Sequence, residues 1–233
     1  MHIRERCRAF VVQHCVSYDA SHDISHIDRV VTNALKILSL SDDATKAVIR
    51  PEILISIASL HDTFDHKYLT THAAESKARS EVIQFLGSEC GFNFNIIETV
   101  IAVIDNMGFT SEVSGKADKH LPIRTLQYLE IVQDADRLDA IGAVGVARCL
   151  AFTGAFGRPI MSESGVEELE QRKKFAQGQL IAVARKGGSA ICHFYDKLVF
   201  LKDMLKTPAG KILGEKRHKF ILSFLDEFFD EVA

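Results

Sequence analysis

The sequence predicts an all-α protein, and three observations carry that reading. Apolar residues recur at intervals of three and four through most of the chain, the repeat of helices with one buried face. Residues that start helices, Ser41-Asp42-Asp43 and Thr207-Pro208, stand where two of those patterns begin. No segment alternates apolar and polar residues well enough to make a strand. With 233 residues, 47% of them hydrophobic and 25% charged, the chain has enough apolar material for a substantial core. No linker, internal repeat or low-complexity tract interrupts it, so one helical domain over residues 1–233 is expected.

The first helix is predicted over residues 3–16, from Ile3, Cys7, Phe10, Val11 and Cys15. The loop Ser17-Tyr18-Asp19-Ala20-Ser21-His22-Asp23 offers caps for a second helix, which carries His26, Arg29, Val30 and Asn33 on one face. Taken alone, His26 reads as a core-edge histidine and Arg29 as a surface arginine. Ser41-Asp42-Asp43 caps a short third helix, and Pro51 opens the mostly apolar run Ile53-Leu54-Ile55-Ser56-Ile57-Ala58-Ser59-Leu60. That run delivers His61-Asp62. Neighbouring side chains on a helix point about 100° apart, so the two grip one ion only in a cleft near the helix end. Asp65, His66 and Lys67 follow in a polar exit, read equally as substrate contacts or as a solvated loop.

Two more amphipathic helices are predicted over 73–89 and 94–107, with Gly108 as a C-terminal stop and 110–121 as a surface loop containing an exposed His120. Residues 125–152 read as one long helix or a broken pair, with Leu126, Leu129 and Val132 on its buried stripe. Burying Asp134, Asp136, Arg137 and Asp139 immediately afterwards is costly unless they are paired or bind metal. On a regular helix Asp136 and Asp139 share a face, while Asp134 lies about 200° from Asp136. Asp134 and Asp136 are therefore alternatives for one ion. Arg137 is suited to a phosphate or to an ion pair with Asp139 or Asp134. Gly142, Gly145 and Ala147 suggest close helix packing rather than a phosphate loop, because no strand precedes them.

Residues 153–166 make the longest break in apolar periodicity and are the candidate for a mobile lid. Helical segments are expected over 166–185 and 191–205, the second with Phe194, Leu198, Leu201 and Leu205 on one stripe. The last begins at Thr207-Pro208 and buries Leu213, Phe220, Phe224 and Phe228, a face that would alternatively serve as a partner surface.

A net charge of −3 supplies no field for duplex nucleic acid. No run approaches the ~20 apolar residues of a membrane span, and the charged start, Arg4-Glu5-Arg6 and Arg8, does not resemble a signal peptide. The five cysteines are scattered and odd in number, without Cys-x-x-Cys spacing, which points to free thiols and a cytoplasmic setting.

The order of His26, His61-Asp62 and Asp134-Ala135-Asp136-Arg137-Leu138-Asp139-Ala140-Ile141-Gly142, each on its own predicted helix, resembles the HD-domain metal-dependent phosphohydrolases. His22-Asp23, Gly157-Arg158-Pro159, His193-Phe194-Tyr195-x-Lys197-Leu198, Thr207-Pro208-x-Gly210 and Glu215-x-Arg217-His218 extend the similarity over nearly the full length, toward the bacterial branch that acts on nucleotides. The resemblance implies an HD-type helical bundle, with a metal-binding core at about 1–150 and a lid-like loop and extra C-terminal helices at about 153–233. It makes His26, His61, Asp62 and Asp136 the ligands of one divalent ion, Mn²⁺, Fe²⁺, Mg²⁺ or Ni²⁺. A second ion is not expected, since His66, His72 and His120 fall on no clearly buried helical face. Arg29, Lys67 and Arg137 are the expected phosphate contacts. Asp62, with Asp65 or His66, is expected to act on the attacking water. The implied reaction is release of pyrophosphate from a nucleoside triphosphate. The alternatives are a phosphomonoesterase on nucleotides or other small phosphate esters, and a non-catalytic metal or nucleotide sensor. The expected partner is a small nucleotide or phosphate ester, with no duplex nucleic acid and no membrane, and a homodimer is compatible with the sequence.

Overall fold

The computed structural model describes residues 2–14, 24–64, 71–115, 120–183 and 188–232, and among them it contains helices and no strand. The all-α expectation is met. The chain divides into two compact units, and the division falls between Ala135 and Asp136, inside a continuous helix.

The first unit is built around α4 (Pro51–Leu60), in which every residue from Ile53 to Leu60 is buried. A helix apolar on all sides must be covered on all sides, and α1 (Ile3–His14), α2 (Ile24–Leu40) and α6 (Phe94–Asp105) pack against it. Full burial of Leu54, Ile57 and Leu60 stabilises the unit by about 1.5–3 kcal/mol each. Pro51 stands in the first turn of α4, as its sequence position predicts. The helix before it, α3 (Asp43–Val48), is capped by Asp42, whose Oδ1 accepts from the Thr45 N–H at 2.7 Å. Thr71 and Asn93 cap α5 (His72–Ser88) and α6 in the same way. Arg79 of α5 grips Asp105 of α6 through two N–H bonds of 2.6 and 3.1 Å.

Gly108 does not end α6. Its φ of −63° is ordinary backbone, and it precedes a further short helix, α7 (Phe109–Val113), inside the expected loop. His120 is exposed, as expected. The long helical stretch is a broken pair, α8 (Ile123–Asp139) and α9 (Gly142–Ala155). Its glycines explain the break. Gly142 adopts φ +77°, a conformation disfavoured for other residues, and a Cβ at Gly145 would stand 2.2 Å from the Ala140 carbonyl oxygen.

In the second unit α12 (Pro208–Glu231) packs on α9, and α11 (Ala190–Asp196) packs on α9 and on α10 (Val166–Ala176). Thr207 caps α12 through a 2.9 Å bond from the Gly210 N–H, with Pro208 in the first turn. The apolar stripe of α12 differs from the expected one. Ile221, Leu225 and Phe229 are buried, whereas Phe220 is 47% exposed. Both rows are apolar at helical spacing and lie one position apart, so periodicity alone could not choose between them.

Helix α10 stops at Ala176 rather than near Arg185. Gly178 turns the chain at φ +66°, and the Gly178 and Gln179 N–H groups bond back to the Phe175 and Lys174 carbonyls. The 191–205 segment is also shorter as a helix: α11 ends at Asp196, and a 3₁₀ turn at Leu198–Phe200 follows. Phe194, Leu198, Leu201 and Leu205 are nevertheless all buried.

The segment singled out as a lid is partly the end of α9, and the rest is fastened. The Ala190 and Ile191 N–H groups bond to the Pro159 and Ile160 carbonyls, each at 3.0 Å. Fully buried Glu168 accepts from the Ser162 N–H at 2.9 Å, the Ser162 hydroxyl at 2.7 Å and the Ser189 hydroxyl at 2.6 Å. Burial pushes this carboxyl upward, but the bonds from Ser189 and Ser162 outweigh it and hold the group down to about 2.

Candidate metal centre

Three side chains of the first unit converge where α4 runs out. His61 keeps helical backbone angles, φ −59° and ψ −29°, as the capping residue, and Asp62 opens a turn closed by the Thr63 N–H to the Leu60 carbonyl at 3.0 Å. The Thr63 hydroxyl donates to the same carbonyl at 2.6 Å. Phe64, two residues beyond Asp62, is buried with the Arg79 guanidinium 4.7 Å above its ring, so the α5–α6 ion pair also secures the exit of the turn. His61 and Asp62 stand at the helix end, where both side chains reach one cleft. α2 packs against α4 and contributes His26, which is 1% exposed.

The Asp62 carboxylate lies between the two imidazoles. Its Oδ2 is 3.4 Å from His26 Nε2, and its Oδ1 is 3.3 Å from His61 Nε2. The two rings meet edge to face, 5.2 Å between centroids and 71° between planes. One donor atom from each of the three residues falls within 4.8 Å of the others. Ligands about 2.0–2.3 Å from one ion lie about 3 Å apart in adjacent octahedral positions, close to these spacings. His61 Nδ1 is 3.0 Å from the Ala58 carbonyl, a contact that requires N–H on that nitrogen and leaves the Nε2 lone pair for a metal. Two imidazole nitrogens and a carboxylate suit a divalent first-row ion or magnesium. The donor set therefore fits the expected metal.

Asp134 is fully buried on α8, and the α2 residue Asn33 donates its side-chain N–H to the adjacent Ala135 carbonyl at 3.1 Å. This bond fastens α8 to the helix that carries His26. Asp136, half-buried, belongs to the second unit. In that unit the Arg137 guanidinium donates to the Met204 carbonyl, and Asp139, buried, pairs with Arg148 at 3.0 Å. Arg29 is half-buried on α2. Asp65, His66 and Lys67 lie outside the described residues, as do His22 and Asp23.

Sequence reasoning did not find Arg79, Arg148 or a role for Asn33. Each acts on a partner in another helix, and nothing in local spacing identifies such partners.

No family model matches the chain. Bacillus subtilis YpgQ is 31% identical over 230 residues, which cover 98% of this chain and 93% of that protein. The crystal structure of YpgQ in complex with ADP superposes with a TM-score of 0.67 over 99% of this chain and 98% of YpgQ, at 26% identity. A Lactobacillus plantarum structure gives a TM-score of 0.71 at 25% identity, over 98% of this chain and 96% of that one. An HD-superfamily hydrolase from Bacillus thuringiensis gives 0.63 at 25% identity, over 98% and 95% of the two chains. No single helix among the described residues is long and apolar enough to cross a membrane.

Proposed function

We propose, from the premise that this chain belongs to the HD-domain phosphohydrolases together with YpgQ, that it hydrolyses nucleoside triphosphates and releases pyrophosphate. The observation that carries the reading is the convergence of His26, His61 and Asp62. The ADP bound to YpgQ supports a nucleotide as ligand over other phosphate esters.

Asp136 is the proposed fourth ligand. Its position in Asp136-Arg137-Leu138, where the family resemblance puts the carboxylate ligand, supports this. The proposed occupant is one Mn²⁺, Fe²⁺, Mg²⁺ or Ni²⁺ ion. When bound, a divalent ion supplies Lewis acidity to a phosphoryl oxygen and lowers the pKa of water. The chain's own groups do the rest. Ala58 holds His61 in one tautomer, and Asp62, with Asp65 or His66, orients the attacking water and takes up its proton. Arg29, Lys67 and Arg137 are the proposed phosphate contacts.

The test is turnover of a panel of nucleoside triphosphates, monophosphates and simple phosphate esters with each metal, followed by identification of the anion released. Pyrophosphate from triphosphates is the expected product. Orthophosphate alone, from monophosphates or esters, would replace this reading with a phosphomonoesterase. Metal and nucleotide binding without turnover would make the protein a sensor.

A further inference from the structure

Helix α8 ends one turn after it passes Asp136. Helix ends fray, so a carboxylate in the last turn keeps a fixed direction only if that turn is tied down. Within the second unit it is tied from outside the helix. The Ala140 N–H closes the turn with bonds to the Asp136 and Arg137 carbonyls, each at 3.1 Å. The Leu138 carbonyl belongs to the last four of α8, which have no intrahelical donor, and the Arg217 guanidinium of α12 donates to it. Arg217 is half-buried, and its stem packs on the corner where α8 gives way to α9. A Cβ at Gly142 would stand 3.0 Å from the Arg217 Cβ.

We propose, resting on Asp136 as the fourth metal ligand, that Arg217 is a positioning residue, which caps the last turn of α8 and so fixes Asp136 in the register of a ligand. A cation suits that place, because the C-terminal carbonyls of a helix carry the negative end of its dipole. Asp139 makes the assignment more specific. Helical geometry puts it on the same face as Asp136, but it is buried and paired with Arg148 of α9 at 3.0 Å. Two carboxylates of one face are thereby set to different tasks. Burial pulls the Arg217 guanidinium below its usual range, and the Asp139 charge opposes that shift. Arg217 therefore meets α8 twice, through the Leu138 carbonyl and through the field of Asp139. Groups that orient a ligand without touching the ion change its affinity, which is the effect expected here.

The experiment strips the full chain of metal with a chelator and titrates it with Mn²⁺ by calorimetry. Arg217→Met keeps an apolar stem beside Gly142 and removes the donor and the charge. It should weaken Mn²⁺ binding by about 10–100-fold, with far-ultraviolet circular dichroism unchanged. Deuterium exchange at the Ala140 amide should be faster in the metal-free variant than in the metal-free parent. Arg217→Lys, which keeps a cation for the carbonyl, should recover most of the lost affinity. If Arg217→Met does not fold, Arg217→Gln, shorter and uncharged, is titrated in its place and should be weakened likewise.

Asp136→Ala, titrated alongside, separates the positioning role from the ligand it serves. Loss of Mn²⁺ binding in Asp136→Ala beside the parent's affinity in Arg217→Met would overturn the role of Arg217 and leave Asp136 a ligand. The parent's affinity in Asp136→Ala would remove the ligand, and the positioning role with it. Equal weakening in Arg217→Met and Arg217→Lys would make Arg217 a packing residue and overturn the proposal.

Discussion

Asp62 in the first unit and Glu168 in the second are both carboxylates held among buried groups, but opposite things point at them. Three protons converge on Glu168, from the Ser162 N–H, the Ser162 hydroxyl and the Ser189 hydroxyl. They stabilise its negative charge and complete a fastening between α10, the loop before it and the start of α11. At Asp62 the neighbours are two imidazole nitrogens, and for His61 the ring proton is directed away, to the Ala58 carbonyl. At His61 a lone pair faces the carboxylate. A carboxylate surrounded by donors is a structural anion, whereas one grouped with imidazole nitrogens prepares a place for a cation.

The sharpest way to break this comparison is His61→Ala. Removing a ligand nitrogen should eliminate bound metal and lower turnover by a factor of about 1000 or more, checked by elemental analysis beside a steady-state assay. Full metal content in the variant would show that lone pairs at Asp62 do not make the site. Glu168→Gln probes the other half. It should leave metal content intact and destabilise the protein by about 2–3 kcal/mol, measured by urea unfolding, because a charged acceptor of three bonds is replaced by a neutral amide. Its pH dependence follows from a carboxyl held down to about 2. The folded value lies below the unfolded one, so the stabilisation is complete above the ordinary glutamate range and is lost as pH falls toward 2. The parent's urea midpoint should therefore fall more steeply than the variant's across that interval. Equal slopes would remove the proton-donor half of the comparison.

Smaller effects sharpen the first half. Arg29→Ala or Lys67→Ala should reduce turnover about tenfold to a hundredfold with metal content unchanged, as expected for cations that touch phosphate rather than the ion. Unaltered kinetics in both variants would place the phosphate contacts elsewhere. Arg79→Ala removes the guanidinium above Phe64 and the ion pair with Asp105. It should weaken metal affinity by about tenfold through the loosened turn after Asp62, read by competition with a metal-binding dye.

Much of the architecture was legible in the residues because its causes act over three or four positions. The caps at Asp42 and Thr207, Pro51 in the first turn of α4, and the apolar run that makes α4 a covered helix are all local. The His, His-Asp, Asp order was equally visible as a resemblance, and His26, His61 and Asp62 do come together. Only the tertiary structure decided the rest. Ile221, Leu225 and Phe229 face inward on α12 because of what α12 packs against, and the adjacent phenylalanine row offers the same periodicity. The break between α8 and α9 depends on how closely Gly145 approaches the Ala140 carbonyl, and the shortened α10 depends on the turn at Gly178. Glu168 gave no sign of burial in a charged helix, because the hydroxyls that hold it come from Ser162 and Ser189. Helix periodicity and capping are properties of neighbours along the chain, and sequence determines them directly. Which donor meets which acceptor across helices depends on packing, and no spacing along the chain encodes it.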